Sequence, residues 1–169
     1  SFVHGASSVV FDGTYKEYFI TVNNFHNDQT GTELEFQCST NSGSSYGVTQ
    51  TNTGIEAYHN QADTATNLGY GTFYDFIQST DYINLGGTTG GSGSADDECT
   101  SGWLRIFDPA NTTYKKHWQL ESSTITHSET AVRLQCSGYF NTTSAINAIN
   151  FKTNSGNTIH GDFCLYGIS

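Results

Sequence analysis

The chain has 169 residues, with 16 acidic side chains against six basic ones and a formal charge of −10. That acid excess speaks against a nucleic-acid binder, because neutralising phosphates takes clustered Lys and Arg, and against docking on an anionic membrane surface. Aromatic residues make up 14% of the chain and charged residues only 13%, which supplies the apolar bulk for an ordered core and excludes intrinsic disorder.

No apolar run approaches the roughly 18 to 20 residues that span a bilayer, and no basic segment followed by an apolar signal region opens the sequence. The chain is therefore expected to be soluble, without membrane insertion. Methionine is absent, position 1 included, so the sequence reads as starting inside a longer or processed product with any anchoring segment outside it.

Gly, Ser, Thr and Asn dominate while good helix formers are scarce, which favours strands. Taken in chain order, strands are predicted near 7–11, 15–26, 33–39, 54–59, 70–78, 102–108, 114–121, 131–139, 145–153 and 160–168. Period-two alternation carries these assignments, as in Tyr18-Ile20-Val22, Leu34-Phe36-Cys38, Leu104-Ile106, Val132-Leu134-Cys136 and Phe163-Leu165. The stretch from Asn60 to Leu68 is given a helical turn. The expected fold is all-β, a single domain over 1–169 built as a two-sheet antiparallel sandwich of jelly-roll type, with under about a tenth of its residues in helix.

An internal repeat is expected to underlie this layout. Thr14-Tyr15-Lys16 leads to Phe36-Gln37-Cys38-Ser39, and Thr113-Tyr114-Lys115 leads to Leu134-Gln135-Cys136-Ser137, with offsets of 113 − 14 = 99 and 136 − 38 = 98. These read as two equivalent hairpins. The segment from Gly86 to Ser94, with five glycines, reads as a flexible loop that cannot pack a core.

Few segments carry chemistry. Gly43-Ser44-Ser45-Tyr46-Gly47 fits the G-x-S-x-G pattern of a nucleophile elbow but lacks the buried strand before it and the helix after it. The same segment with Ser39-Thr40-Asn41-Ser42 resembles the Asp-box hairpin of β-propeller sialidases, with Asn41 in the place of Asp, and that resemblance implies a structural turn. None of the six histidines belongs to an H-E-x-x-H motif or a closely spaced pair, and His59 would meet Glu56 and Asp63 only on a helix. Asp96, Asp97 and Glu98 offer the hard oxygen ligands that calcium prefers, although an adjacent acidic triplet is more often solvated. No other cofactor is expected.

Cys38 and Cys136 share the phase of apolar neighbours and are expected to be buried free thiols, with Cys99 and Cys164 in a loop or out of phase. Asn111-Thr112-Thr113 and Asn141-Thr142-Thr143 match the glycosylation pattern in a chain rich in those residue types. Tyr58, Tyr70, Tyr74, Tyr82 and Trp103 flank polar loops, a composition suited to stacking on sugar rings, set against the alternative of half-buried strand aromatics.

Several stretches resemble a module of exterior virion proteins of marine tailed bacteriophages, including those of cyanobacteria. They include Thr14-Tyr15-Lys16-Glu17-Tyr18, Glu56-Ala57-Tyr58-His59, Phe107-Asp108-Pro109, Gly138-Tyr139-Phe140-Asn141 and Leu165-Tyr166-Gly167-Ile168. The resemblance implies a non-enzymatic all-β domain on the exterior of a phage particle, assembled in the host cytoplasm. Its partners would be other virion proteins, further copies of itself in a homo-oligomer, with a trimer favoured, and host-surface polysaccharide. A tail-fibre or appendage domain contacting glycans is the first reading; a decoration, cement or filament subunit is the alternative. A glycan-cleaving enzyme would need two carboxylates roughly 5 to 10 Å apart.

Overall fold

The computed structural model describes residues 1–72, 75–87 and 91–169, without the side chain of Ile159. Eleven strands form within the described residues: β1 (Phe2–Val3), β2 (Glu17–Asn27), β3 (Leu34–Ser39), β4 (Gln50–Asn60), β5 (Thr66–Tyr70), β6 (Ile83–Asn84), β7 (Thr100–Phe107), β8 (Lys116–Ile125), β9 (Thr130–Phe140), β10 (Ala148–Thr153) and β11 (Thr158–Ile168). They build two antiparallel sheets, one ordered β1-β10-β3-β6 and the other β11-β2-β7-β8-β9-β4-β5. The expected all-β two-sheet sandwich is the observed one.

The core follows from the period-two pattern, because each strand sends alternate side chains to opposite faces. Leu34, Phe36 and Cys38 of β3 meet Tyr18, Ile20 and Val22 of β2, Leu104 and Ile106 of β7, and Trp118 and Leu120 of β8. Phe36 contacts Trp118 edge-on across the sheets, with ring centroids 5.3 Å apart, a geometry that places a positive ring edge on a negative face. Val22 is followed by a bulge with Asn24 at φ +50°, which lets β2 re-enter register with Phe25 buried.

Several sequence expectations change. The strand expected at 7–11 does not form; β1 is Phe2–Val3, and the chain then turns back on itself. The strand expected at 70–78 ends at Tyr70 as β5, and Phe73 and Tyr74 lie outside the described residues. Asn60 to Leu68 holds no helix: Asn60 Oδ1 accepts from the N–H groups of Thr64 and Ala65, and the resulting tight turn returns the chain as β5. His59 Nε2 and Asp63 Oδ1 lie 2.9 Å apart on that turn, while Glu56 is buried. The repeat is local only. Asp12 and Asn111 each accept backbone N–H bonds at the matching turns, but β8 pairs with β9 whereas β2 and β3 belong to different sheets.

The turn after β3 is organised by Asn41, whose side chain accepts from the Ser45 N–H and donates to Ser45 Oγ. It carries the chain from one sheet to the other, so it is a crossover and not the hairpin of the Asp-box resemblance. The glycine segment also departs from expectation. Gly86, Gly87, Gly91 and Gly93 are buried, and Gly91, at φ +61°, would place a Cβ 2.8 Å from the Gly31 carbonyl carbon. Ser92 bridges β-fashion to Thr32 and Thr126 and accepts from Asn27 Nδ2 at 2.7 Å. Small residues are needed at Gly91 and Gly93 because the Gly31–Thr32 backbone and the Glu98 side chain lie close against them; Thr88, Thr89 and Gly90 lie outside the described residues.

Cys38 and Cys136 are buried free thiols, as the alternation requires, and Cys164 is exposed. Burial pushes the Cys136 thiol up to about 11 and also raises the Cys38 thiol well above its ordinary range.

Candidate functional site: the open face of the seven-stranded sheet

The four-stranded sheet covers one face of the seven-stranded sheet, and the outward-phase residues form the other. Register makes that face legible row by row. Cys164 of β11 stands opposite Thr21 of β2, which stands opposite Trp103 of β7. Trp103 pairs with Glu121 of β8, Glu121 with Gln135 of β9, Gln135 with Ile55 of β4, and Ile55 with Tyr70 of β5. A neighbouring row runs Tyr166, Phe19, Arg105, Gln119, Ser137 and Thr53.

At the centre, Trp103 is half-buried beside Phe19, their ring centroids 5.8 Å apart and planes inclined by 33°. The Arg105 guanidinium lies 5.6 Å from the Phe19 centroid and 6.0 Å from that of Trp103, within the range of cation–π attraction. Its Nε is 2.7 Å from Glu17 Oε1. Across from Trp103, Glu121 takes Arg133 Nε at 2.9 Å on Oε1 and Gln135 Nε2 at 3.1 Å on Oε2. The carboxylate is thereby fixed in orientation while its side chain keeps 30% of its exposure. Arg133 Nη2 lies 2.8 Å from the same Oε1, so Oε1 already faces two donors, whereas Oε2 retains acceptor capacity for a further one.

Three hollows open on this face and share walls. One of about 480 Å³ is lined by Trp103, Gln119, Glu121, Gln135, Ser137 and Thr53. A second of about 430 Å³ shares Trp103 and Glu121 with it and adds Phe19, Thr21 and Arg133. The third, about 580 Å³, shares Arg133 and continues to Leu68 and His59. At that end Ile55, Leu68 and Tyr70 are exposed at 46%, 73% and 55%, and the Thr53 hydroxyl donates to the Tyr70 oxygen at 3.3 Å. The surface is thus a shallow trough with one central aromatic cluster, fixed amide and carboxylate groups, and an apolar end.

The sequence-predicted aromatics do not form one patch. Trp103 and Tyr70 share the open face. Tyr58 continues the inward phase of β4 and is half-buried. Tyr82 lies just before β6, beside the other sheet, where its oxygen accepts from Asn150 Nδ2 at 3.1 Å and Lys152 Nζ lies 4.1 Å from its ring centroid. Tyr74 lies outside the described residues. The acidic triplet is also split: Glu98 is buried and accepts the Ala95 N–H at 2.8 Å, whereas Asp96 and Asp97 are exposed. Among the described residues no group of three or more His, Cys, Asp or Glu converges as metal ligands would.

Phe19, Arg105, Gln119, Glu121, Arg133 and Gln135 were not anticipated as site residues. Their signal was present in the alternation: on successive strands, long polar or aromatic side chains occupy several of the outward positions between inward apolar ones. Comparison with known proteins returns no matching family model, no matching curated protein and no matching solved structure.

Proposed function

We propose that the chain is a non-enzymatic binding module that holds glycan on the open face of its seven-stranded sheet. The observation that carries this reading is the half-buried Trp103, with Phe19 and Arg105 on one side and the immobilised Glu121 and Gln135 on the other. An aromatic plane accepts the apolar face of a sugar ring, and fixed carboxylate and amide groups beside it exchange hydrogen bonds with the ring hydroxyls. Hydroxyl recognition rewards such preorganisation, because side chains already held in place lose little entropy on binding.

This reading fits the resemblance to exterior phage modules, in which the chain would be one subunit of a symmetric, trimeric appendage contacting host-surface polysaccharide. The experiment is an array of bacterial surface polysaccharides probed with the wild-type chain and Trp103→Ala, together with competition for phage adsorption. Binding lost in Trp103→Ala and blocked adsorption are the expected results. If no glycan is bound, adsorption is unchanged at saturating protein and particles lacking the domain fall apart, the decoration or cement role replaces this one.

A further inference from the structure

Resting on the glycan-binding reading, we infer that the open face selects an uncharged, extended glycan laid across the strands, with Trp103 and Glu121 forming its central subsite. The chain carries −10 and contains two arginines, Arg105 and Arg133, and both lie on this face. Each is paired with a glutamate of the same face, Arg105 with Glu17 at 2.7 Å and Arg133 with Glu121 at 2.8 Å. Two cations against two anions leave the centre of the trough with no net charge on a strongly acidic protein.

A uronate or sulfate group entering there would approach the Glu121 carboxylate opposite Trp103 and find both guanidinium groups already engaged. It would also lose its hydration for no uncompensated cation, a transfer that is costly for any anion. A neutral polyol meets no such penalty, and one of its hydroxyls can donate to the remaining lone pair of Glu121 Oε2, a charge-assisted bond stronger than one to a neutral acceptor. The charge complementarity of the site is therefore to an uncharged ligand.

The direction follows from register. Thr21, Trp103, Glu121, Gln135, Ile55 and Tyr70 form one row over six adjacent strands, about 24 Å across at the usual spacing of ~4.8 Å between strands. Tyr70 offers a second exposed aromatic at the far end of that row, separated from Trp103 by three strands. A ligand of two rings seated on Trp103 would not reach it, whereas an extended chain would.

The test is titration calorimetry of the full chain with uncharged gluco-, manno- and galacto-oligosaccharides of two to six rings, alongside polygalacturonate and dextran sulfate, at low and high salt. The expected result is that an uncharged series binds, that affinity rises with ring number, and that salt changes it by less than about twofold, since no screened charge attraction is involved. Trp103→Ala weakens every member by roughly tenfold or more. Tyr70→Ala weakens the longest members severalfold and leaves the two-ring members unchanged, and Glu121→Gln, of the same shape, weakens all members with an unaltered unfolding midpoint.

Tightest binding to a polyanion, lost at high salt and in Trp103→Ala, overturns the uncharged ligand class while keeping the face as the glycan site. Equal loss from Tyr70→Ala at every length, or none at any length, overturns the orientation across the strands. Binding that ignores Trp103→Ala, or the absence of binding to every carbohydrate, overturns the glycan-binding reading itself.

Discussion

Glu121 stands directly opposite Trp103 in the β7–β8 ladder and is held there by Arg133, whose Nε and Nη2 both lie within 2.9 Å of Oε1. The pair sits on the surface, with Arg133 60% exposed. Exposed ion pairs contribute only about 0.2–1 kcal/mol to stability, so the arrangement matters chiefly for where it puts the carboxylate. Arg133→Ala is expected to lower the free energy of unfolding by no more than about 1 kcal/mol while weakening glycan binding severalfold. Urea unfolding and calorimetry on the same sample separate the two effects; a large stability loss with intact binding would contradict this role.

Gly138 is closely packed within the sheet. It pairs with Trp118 of β8 and with Asn52 of β4, and a Cβ added there would lie 2.7 Å from Trp118 Cζ2 and 2.6 Å from both Asn52 Cβ and the Thr51 carbonyl oxygen. The Thr51 oxygen is backbone and cannot move aside cheaply. Gly138→Ala is expected to cost about 1–3 kcal/mol by overpacking, and Trp118→Ala about 3–5 kcal/mol by leaving a cavity beneath Phe36. Denaturant midpoints report both, and a neutral Gly138→Ala would show that the strands can separate locally.

Glu33 links stability to pH. Burial, with the nearby Glu35 and Glu56 charges, raises its carboxyl above the ordinary 4.5, against a hydrogen bond from Asn84. A carboxyl whose folded pKa is raised favours folding in its protonated form, so its stabilising contribution is present below 4.5 and lost as pH rises through the folded value. Glu33→Gln should therefore match wild type at acid pH and exceed it in stability near neutrality. Asp28 behaves oppositely. The Asn157 backbone and side-chain N–H groups, at 2.7 and 2.9 Å, hold its carboxyl below the usual 3.8. That contribution is complete above 3.8 and disappears as pH falls through the lowered value. Melts from pH 3 to 8 on wild type, Glu33→Gln and Asp28→Asn test both signs.

Thiol reactivity follows burial, because the thiolate is the reacting species. Cys164 is exposed on β11, whereas Cys38 and Cys136 are buried with raised pKa values. A thiol reagent at neutral pH should modify Cys164 first, and Cys38 and Cys136 only at the rate of unfolding. Peptide mapping of labelled protein checks the order; rapid native labelling of Cys136 would contradict the packing around Asn52.

What the sequence by itself determined was local. Alternation of apolar and polar side chains has the period of a strand, so it reveals both that β2, β3, β7, β8 and β9 are strands and which of their side chains point inward. Cys38 and Cys136 were legible as core residues for that reason. The tertiary structure decided which strands are neighbours. The matching turns at Asp12 and Asn111 looked like one repeated hairpin, yet β8 pairs with its successor and β2 pairs with β7 and β11, because partner choice depends on the summed packing of two whole sheets. The burial of Gly86, Gly87, Gly91 and Gly93 was likewise hidden, since a small residue gives the same local signal in a mobile loop and in a close-packed one. The site followed the same division. Each outward residue could be read along its own strand, but only the cross-strand register brings Phe19, Trp103, Glu121, Gln135 and Tyr70, separated by up to 116 positions (135 − 19), onto one face, and only the tertiary fold sets Tyr82 beside the other sheet against Asn150.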